Sequence, residues 1–293
     1  MQAAHIHRKL LIRAFSKAAA TYDAHAVLQR EVADRLLNHM EFTRFRPRRV
    51  LDIGCGTGYL MLKLRKRFRS AGIYGLDIAG EMLKKACASS KRRLPFGPKK
   101  GFVQGDAVSL PFRDESIDLV CSNLTLQWVA DPEAMLREMR RILAPGGLIL
   151  FATFGRRTLL ELRQSLAEIA PERAGLVLPF PDVTSLGNSL MELPVELPVT
   201  DTDLFTLTYP DVIALVRELK GLGASSSAIN NRPGGLYGRA LLNKLDNIYG
   251  ESHRMEDGRI RASFEVLYAQ AWYAKVPFRP EGEVISIEVK HGA

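Results

Sequence analysis

Three carboxylates stand at the ends of short apolar runs early in the chain. They are Asp52 in Val50-Leu51-Asp52-Ile53, Asp77 after Gly72-Ile73-Tyr74-Gly75-Leu76, and Asp106 directly after Gly105. Behind Asp52 come three alternating glycines, Gly54, Gly56 and Gly58, separated by Cys55 and Thr57. A turn without Cβ atoms lets backbone approach a ligand closely. Leu60, Met61, Leu64 and Phe68 then recur at helical spacing. Strand, glycine turn and helix open a nucleotide-binding βαβ unit. Asp77 lies 19 residues past Gly58, where a carboxylate accepts hydrogen bonds from ribose hydroxyls. Asp106 can accept from the exocyclic amine of adenine. With their neighbours Ile78 and Ala107, these residues form a candidate site for a cofactor with an adenosine end.

The choice among adenosine cofactors turns on Asp52. A dinucleotide site uses G-x-G-x-x-G and aims a helix N-terminus at a pyrophosphate. Here the glycines run G-x-G-x-G, with a carboxylate two residues ahead of them. That carboxylate would repel a pyrophosphate at short range and suit a cationic ligand. The pattern resembles motif I of the class I methyltransferases. The resemblance implies S-adenosylmethionine, with its sulfonium and ammonium, as cofactor and S-adenosylhomocysteine as product.

The elements needed to hold such a site can be read in order. Acid-free residues 1–22 carry Arg8, Lys9, Arg13 and Lys17. A mitochondrial presequence has this look, but the helical pattern runs on through Val27, Val32, Leu36 and Leu37. One or two amphipathic helices packed over the cofactor mouth, with Tyr22 among them, are the preferred reading. Strands are expected at about 49–54, 72–77, 101–105, 117–123, 148–154, 202–208 and 261–273, and helices at about 58–69, 79–90, 132–143, 158–169, 210–220 and 239–249. Ligands in open parallel sheets bind at the carboxyl ends of strands. Asn123, Leu124, Gln127 and Trp128 therefore face the methyl-donor end, while Asp118 opens its strand as a structural residue. Between about 156 and 197 the βα rhythm breaks, and this stretch reads as a helical insertion that lids the site. The expected fold is α/β and Rossmann-like, a seven-stranded, mostly parallel sheet with helices on both faces. Its divisions are a helical cap at 1–47, the main domain at 48–275 and a C-terminal tail at 276–293.

Bulk composition narrows the class. Of 293 residues, 46% are hydrophobic and 25% charged, as in a globular protein. No apolar run reaches the ~18–20 residues needed to span a membrane. Cys55, Cys87 and Cys121 form no CxxC pair, which argues for a reducing, cytoplasmic setting and no disulfide framework. Six scattered histidines include no metal-binding spacing, and no metal is expected. The net charge is +9, and residues 44–100 hold sixteen Lys or Arg against three acids. Such a surface is either the solvated face of helices or a means of steering an acidic partner. No added nucleic-acid domain accompanies it, and a monomer is expected.

More specific stretches are Phe15-Ser16-Lys17-Ala18-Ala19-Ala20-Thr21-Tyr22-Asp23-Ala24-His25-Ala26, Ser122-Asn123-Leu124-Thr125-Leu126-Gln127-Trp128 and Leu219-Lys220-Gly221-Leu222-Gly223-Ala224. In these, over roughly residues 10–275, the chain resembles the malonyl-acyl-carrier-protein O-methyltransferases of biotin synthesis. The resemblance implies methylation of the free carboxyl of a malonyl thioester, with acyl carrier protein as partner. Cofactor contacts carry over to Gly54, Gly56, Gly58, Asp77, Asp106 and Asn123. Tyr22 and Gln127 are candidates to orient the reacting carboxylate, and Trp128, Lys220 and Arg232 to hold the substrate. The carboxylate is already ionised at neutral pH, so no general base is expected. The basic loops and tail depart from a lean member of this family. Two other readings stay open: another small-molecule methyltransferase, and a methyltransferase-like assembly factor of mitochondrial complex I that supports protein hydroxylation.

Overall fold

The structure is a computed structural model that describes residues 8–41, 43–89, 100–171, 177–224 and 239–274. Seven strands are present: β1 Arg49–Ile53, β2 Gly72–Asp77, β3 Lys100–Gln104, β4 Ile117–Asn123, β5 Leu143–Phe154, β6 Glu196–Tyr209 and β7 Ile260–Trp272. They form one sheet in the order β3-β2-β1-β4-β5-β7-β6. Strands β1 to β5 pair in parallel. Strand β7 runs against both of its neighbours, β5 and β6. The chain steps from β1 outward to β2 and β3, then returns to place β4 on the other side of β1. That reversal opens a crevice beyond the carboxyl ends of β1 and β4.

Both faces of the sheet are covered. Val50, Leu119, Leu148 and Leu150 enter one apolar cluster. Leu51, Val120, Ile149 and Phe151, their neighbours in sequence, enter the other. A strand buried on both faces reads as a continuous apolar run, which is how β1, β4 and β5 read. Strand β6 starts well before the expected residue 202 because it is the sheet's edge. It tolerates Pro198 and a register irregularity between Glu196 and Val199, and edge strands are where proline is admitted.

Ten helices are described. Before the sheet come α1 Arg8–Ala18, α2 Tyr22–His25 and α3 Val27–Asn38. Within it lie α4 Tyr59–Arg67, α5 Gly80–Ser89, α6 Pro132–Ile142, α7 Leu160–Ile169, α8 Val183–Met191, α9 Val212–Gly221 and α10 Arg239–His253. Helix α6 starts with Asp131 accepting from the Ala134 N–H at 2.9 Å, followed by Pro132 in the first turn. Helix α3 buries Leu28, Val32, Ala33, Leu36 and Leu37 in the same cluster as Leu60, Met61 and Leu64 of α4. At about 1.5–3 kcal/mol per large apolar side chain, α3 is part of the core rather than a detachable cap. Helices α1 and α2 and the first turn of α3 overhang the crevice.

The described residues of the stretch 156–197 do not lie over that crevice. Leu162 and Leu166 of α7 sink into one face of the core. Leu186 and Leu190 of α8 sink into the other. Among the described residues, none of this stretch lines the crevice. The proline-rich insertion holds extra helices, but their apolar faces dock them on opposite faces of the sheet, away from the crevice.

Candidate cofactor and active site

The crevice has two lobes that meet at Tyr22, Gly54, Gly56 and Asn123. The floor is the glycine turn after β1. All three glycines have positive φ, yet each serves a different need. At Gly54 a Cβ would collide with the Thr125 side chain, and at Gly58 it would press on Ala86 of α5 at 3.1 Å. At Gly56 it would meet nothing within 4 Å, so only there does the missing Cβ open space for a ligand. Gly58 is needed for helix packing and does not line the crevice.

Asp77 at the end of β2 anchors that turn. Its carboxylate accepts from the N–H of Gly56 at 2.9 Å and of Ala79 at 2.8 Å. Burial pushes its pKa up, and these backbone donors pull against the shift. Asp52 has no such help. It is 1% exposed, and neither carboxylate oxygen has a hydrogen-bond partner. Burial first, then the charge of Asp77, raises its pKa well above the usual carboxylate range.

The first lobe is mostly apolar, walled by Leu76, Ile78, Met82, Ala107 and Val108, with Asp77, Asp106 and Asp131 as its acids. Asp106 accepts from the Val108 N–H at 3.2 Å and pairs with Arg8 of α1 at 3.0 Å. Trp128 lies in this lobe with Phe15 of α1 edge-on, ring centroids 5.4 Å apart. Leu124, also in the wall, has φ +52. A non-glycine residue in that region costs about 1–3 kcal/mol, and such strain gathers where backbone must be aimed.

The second lobe is the more polar of the two. Among the described residues, seven buried side-chain atoms lack a hydrogen-bond partner. Four of them, both oxygens of Asp52, Gln29 Oε1 and Asn123 Oδ1, belong to residues that line this lobe. All four are acceptors, so the gap they leave is for a donor. Asn123 is turned by its own amide, which donates to the Gln29 carbonyl at 2.9 Å. Arg30 also lines the lobe, donating to the Asp23 carbonyl at 2.7 Å. Asp23 ties α2 to the floor by accepting from the Thr57 hydroxyl at 2.6 Å. Acceptors for an ammonium, a guanidinium for a carboxylate, and an adjoining lobe with acids among apolar walls fit an amino acid joined to an adenosine.

Tyr22 sits where the lobes meet. Burial, with Asp77 and Asp23 adding to it, raises its phenol pKa and keeps it protonated at neutral pH. Cys55 lines the second lobe as a buried thiol. Other expected site residues are elsewhere. The Gln127 amide is consumed inside the fold, donating to the Leu124 carbonyl at 2.8 Å and accepting from Thr153 at 3.0 Å. It braces the strained turn and does not line the crevice. Lys220 is exposed at the end of α9 and lines neither lobe. Arg232 lies outside the described residues.

Sequence reasoning did not single out Arg8, Phe15, Gln29, Arg30 or Met82. The first four stand on N-terminal helices far from the glycine turn in sequence, and only packing brings them to it. Two signals bore on the first two: the acid-free stretch 1–22, from which Arg8 must reach an acid of another segment, and the quoted stretch that begins at Phe15.

A doubly wound sheet with this glycine turn, paired acids and an ammonium-accepting lobe defines the class I, S-adenosylmethionine-dependent methyltransferases. Residues 51–151 match a family model described as a methyltransferase domain. Among solved structures, the YcgJ protein of Bacillus subtilis shares the fold with a TM-score of 0.60 at 16% identity, over 82% of this chain and 98% of that one. A methyltransferase-like structure from Bacillus halodurans gives 0.57 at 19% identity, over 83% and 98%. The malonyl-[acyl-carrier protein] O-methyltransferase of Halorhodospira halophila is 43% identical over 91% of this chain and 88% of its own. That of Methylovorus sp. is 40% identical over 89% and 87%. The chain belongs to the malonyl-[acyl-carrier protein] O-methyltransferase family.

Proposed function

We propose that this protein transfers a methyl group from S-adenosylmethionine to the free carboxyl of a malonyl thioester carried on acyl carrier protein. The product would be the methyl ester used to begin the pimeloyl chain of biotin. The observation that carries this reading is the polar lobe, where four orphaned acceptors and Arg30 stand beside an acid-bearing apolar lobe in a chain 43% identical to a relative of that name. When bound, S-adenosylmethionine supplies a methyl made electrophilic by its sulfonium.

The residues of the chain do the rest. Asp52, Gln29 and Asn123 would receive the ammonium of the cofactor, and Arg30 its carboxylate. Asp77 would take the ribose, Asp106 the adenine amine, and Ile78 and Ala107 the faces of the ring. Phe15, Leu124 and Trp128 make an apolar wall that excludes water from the reacting carboxylate. The protonated Tyr22 hydroxyl would orient that carboxylate by donating to it. A carboxylate with a reference pKa near ~4 is ionised at neutral pH, so no residue need act as base. Catalysis is then orientation of nucleophile and methyl in a near-attack geometry of ~3–3.5 Å.

Exposed Arg44, Arg46, Arg48, Arg49, Lys66, Arg67 and Arg69 make the amino edge of the sheet, opposite the crevice, basic. It suits an acidic carrier protein, and added salt should weaken the encounter. Incubation with malonyl-acyl-carrier-protein and methyl-labelled cofactor should yield a base-labile methyl ester on the carrier. Failure to label the carrier would remove this reading. Equal use of a malonyl thioester free of carrier would remove the role given to the basic side.

A further inference from the structure

Asp52 is a carboxylate with nothing to hold its charge. We propose that the free protein keeps Asp52 as the neutral acid and that cofactor binding expels its proton, so that ligand capture and ionisation are one event. This rests on the cofactor reading given above and adds to it a coupling that the reading does not require.

The argument begins with geometry. Asp52 is 1% exposed at the end of β1, and both of its oxygens lack hydrogen-bond partners. An isolated charge so placed costs several kcal/mol, and proteins avoid that cost by neutralising the group. The groups around it offer no relief. From β2 comes Asp77, a second buried carboxylate with donors of its own from Gly56 and Ala79. Cys121 of β4 lies opposite Asp52 in the strand register. Cys55 is in the glycine turn, and burial keeps both thiols neutral. From α4, the Tyr59 hydroxyl donates to Asp34. From α2, the Tyr22 phenol is held neutral by burial, and Asp23 pairs with Lys85 at 3.3 Å. The cation lining this lobe, Arg30 of α3, donates to the Asp23 carbonyl.

A ligand ammonium entering the lobe changes the balance. An opposite charge within ~4–6 Å favours the ionised form. The carboxylic acid then loses its proton to solvent, the O–H bonding pair stays on Asp52, and the carboxylate pairs with the ammonium. The ammonium keeps its own protons, and no redox partner is needed. Binding therefore strengthens as pH rises, by about tenfold per pH unit, between the pKa of Asp52 in the complex and its higher value in the free protein. Above the higher value the affinity is flat.

The test uses the unreactive product S-adenosylhomocysteine and the full chain. Titration calorimetry in phosphate and in Tris, buffers of unlike ionisation enthalpy, counts the protons released. Across about pH 5 to 8, above the ordinary carboxylate pKa of ~4, wild type should release up to about one proton per ligand bound. Asp52→Asn should release none. Binding by wild type with no proton exchanged across that range overturns the proposal, as does the same release from Asp52→Asn. Absence of any binding by wild type removes the cofactor reading, and this one with it. Should Asp52→Asn fail to fold, wild type alone reports the group. A folded-state pKa raised above the unfolded one makes stability fall as pH climbs through the interval between them. Saturating ligand should abolish that fall, and a fall of equal size with ligand present refutes the coupling.

Discussion

In the lobe beneath α1, apolar walls leave three acids already engaged, Asp77 by backbone N–H groups, Asp106 by Arg8 and Asp131 by the Ala134 N–H. In the lobe beneath α3, acceptors are buried and left without donors. The first is a finished surface that accepts a flat, largely apolar group by fit. The second is incomplete until a donor arrives. An unpaired buried polar atom costs about 1–3 kcal/mol, so the protein forgoes stability in one lobe and not in the other. On the proposed reading, shape selects in the apolar lobe and charge in the polar one.

The comparison can be broken most forcefully where the lobes share a floor. Gly56→Val places a branched side chain in the open space that both lobes use, at a φ of +51. Binding of S-adenosylhomocysteine should fall at least about 100-fold, or roughly 2.7 kcal/mol, when followed by calorimetry. Unchanged affinity would mean that the ligand lies elsewhere. Asp77→Ala is next. It should weaken binding by about 1.5–3 kcal/mol, the scale of hydrogen bonds to a charged group, and also loosen the glycine turn. A loss of stability with affinity intact would make Asp77 a strut alone.

Two smaller effects sharpen the contrast. Gln127→Leu removes the amide that bonds the Leu124 carbonyl and the Thr153 hydroxyl. A cost of about 1–3 kcal/mol in denaturant stability is expected, with KM for the acyl substrate little changed. A large KM effect at full stability would return Gln127 to the substrate site. Arg8→Ala breaks a pair whose arginine is 64% exposed. Its effect on affinity should stay within about 1 kcal/mol and fade in salt. An effect that persists in high salt would show that α1 contributes contacts beyond charge.

Strands β1, β2 and β4 matched their sequence reading to within a residue. A strand buried on both faces and bounded by turns has little freedom to start elsewhere. Asp52, Gly56, Asp77, Ile78, Asp106, Ala107 and Asn123 were readable for a related reason. Each sits at the end of such a strand or just past it, where chain order alone implies the crevice. Gly58 was read as a ligand glycine because it shares their spacing, but its neighbour across the gap is Ala86 of α5. Helical spacing showed that 156–197 held amphipathic segments. It could not show which side of the sheet they would cover.

By itself the sequence determined the order of strands and helices, the glycine turn and the row of acids. Local sterics and hydrophobic periodicity act over a few residues at a time, and they suffice for those features. Tertiary structure alone decided that the N-terminal helices, not the described part of the later insertion, roof the crevice. It also turned the Gln127 amide into the fold and left Asp52, Gln29 and Asn123 without donors. Those outcomes depend on which apolar faces find each other across the molecule, and on what remains unpaired once they have.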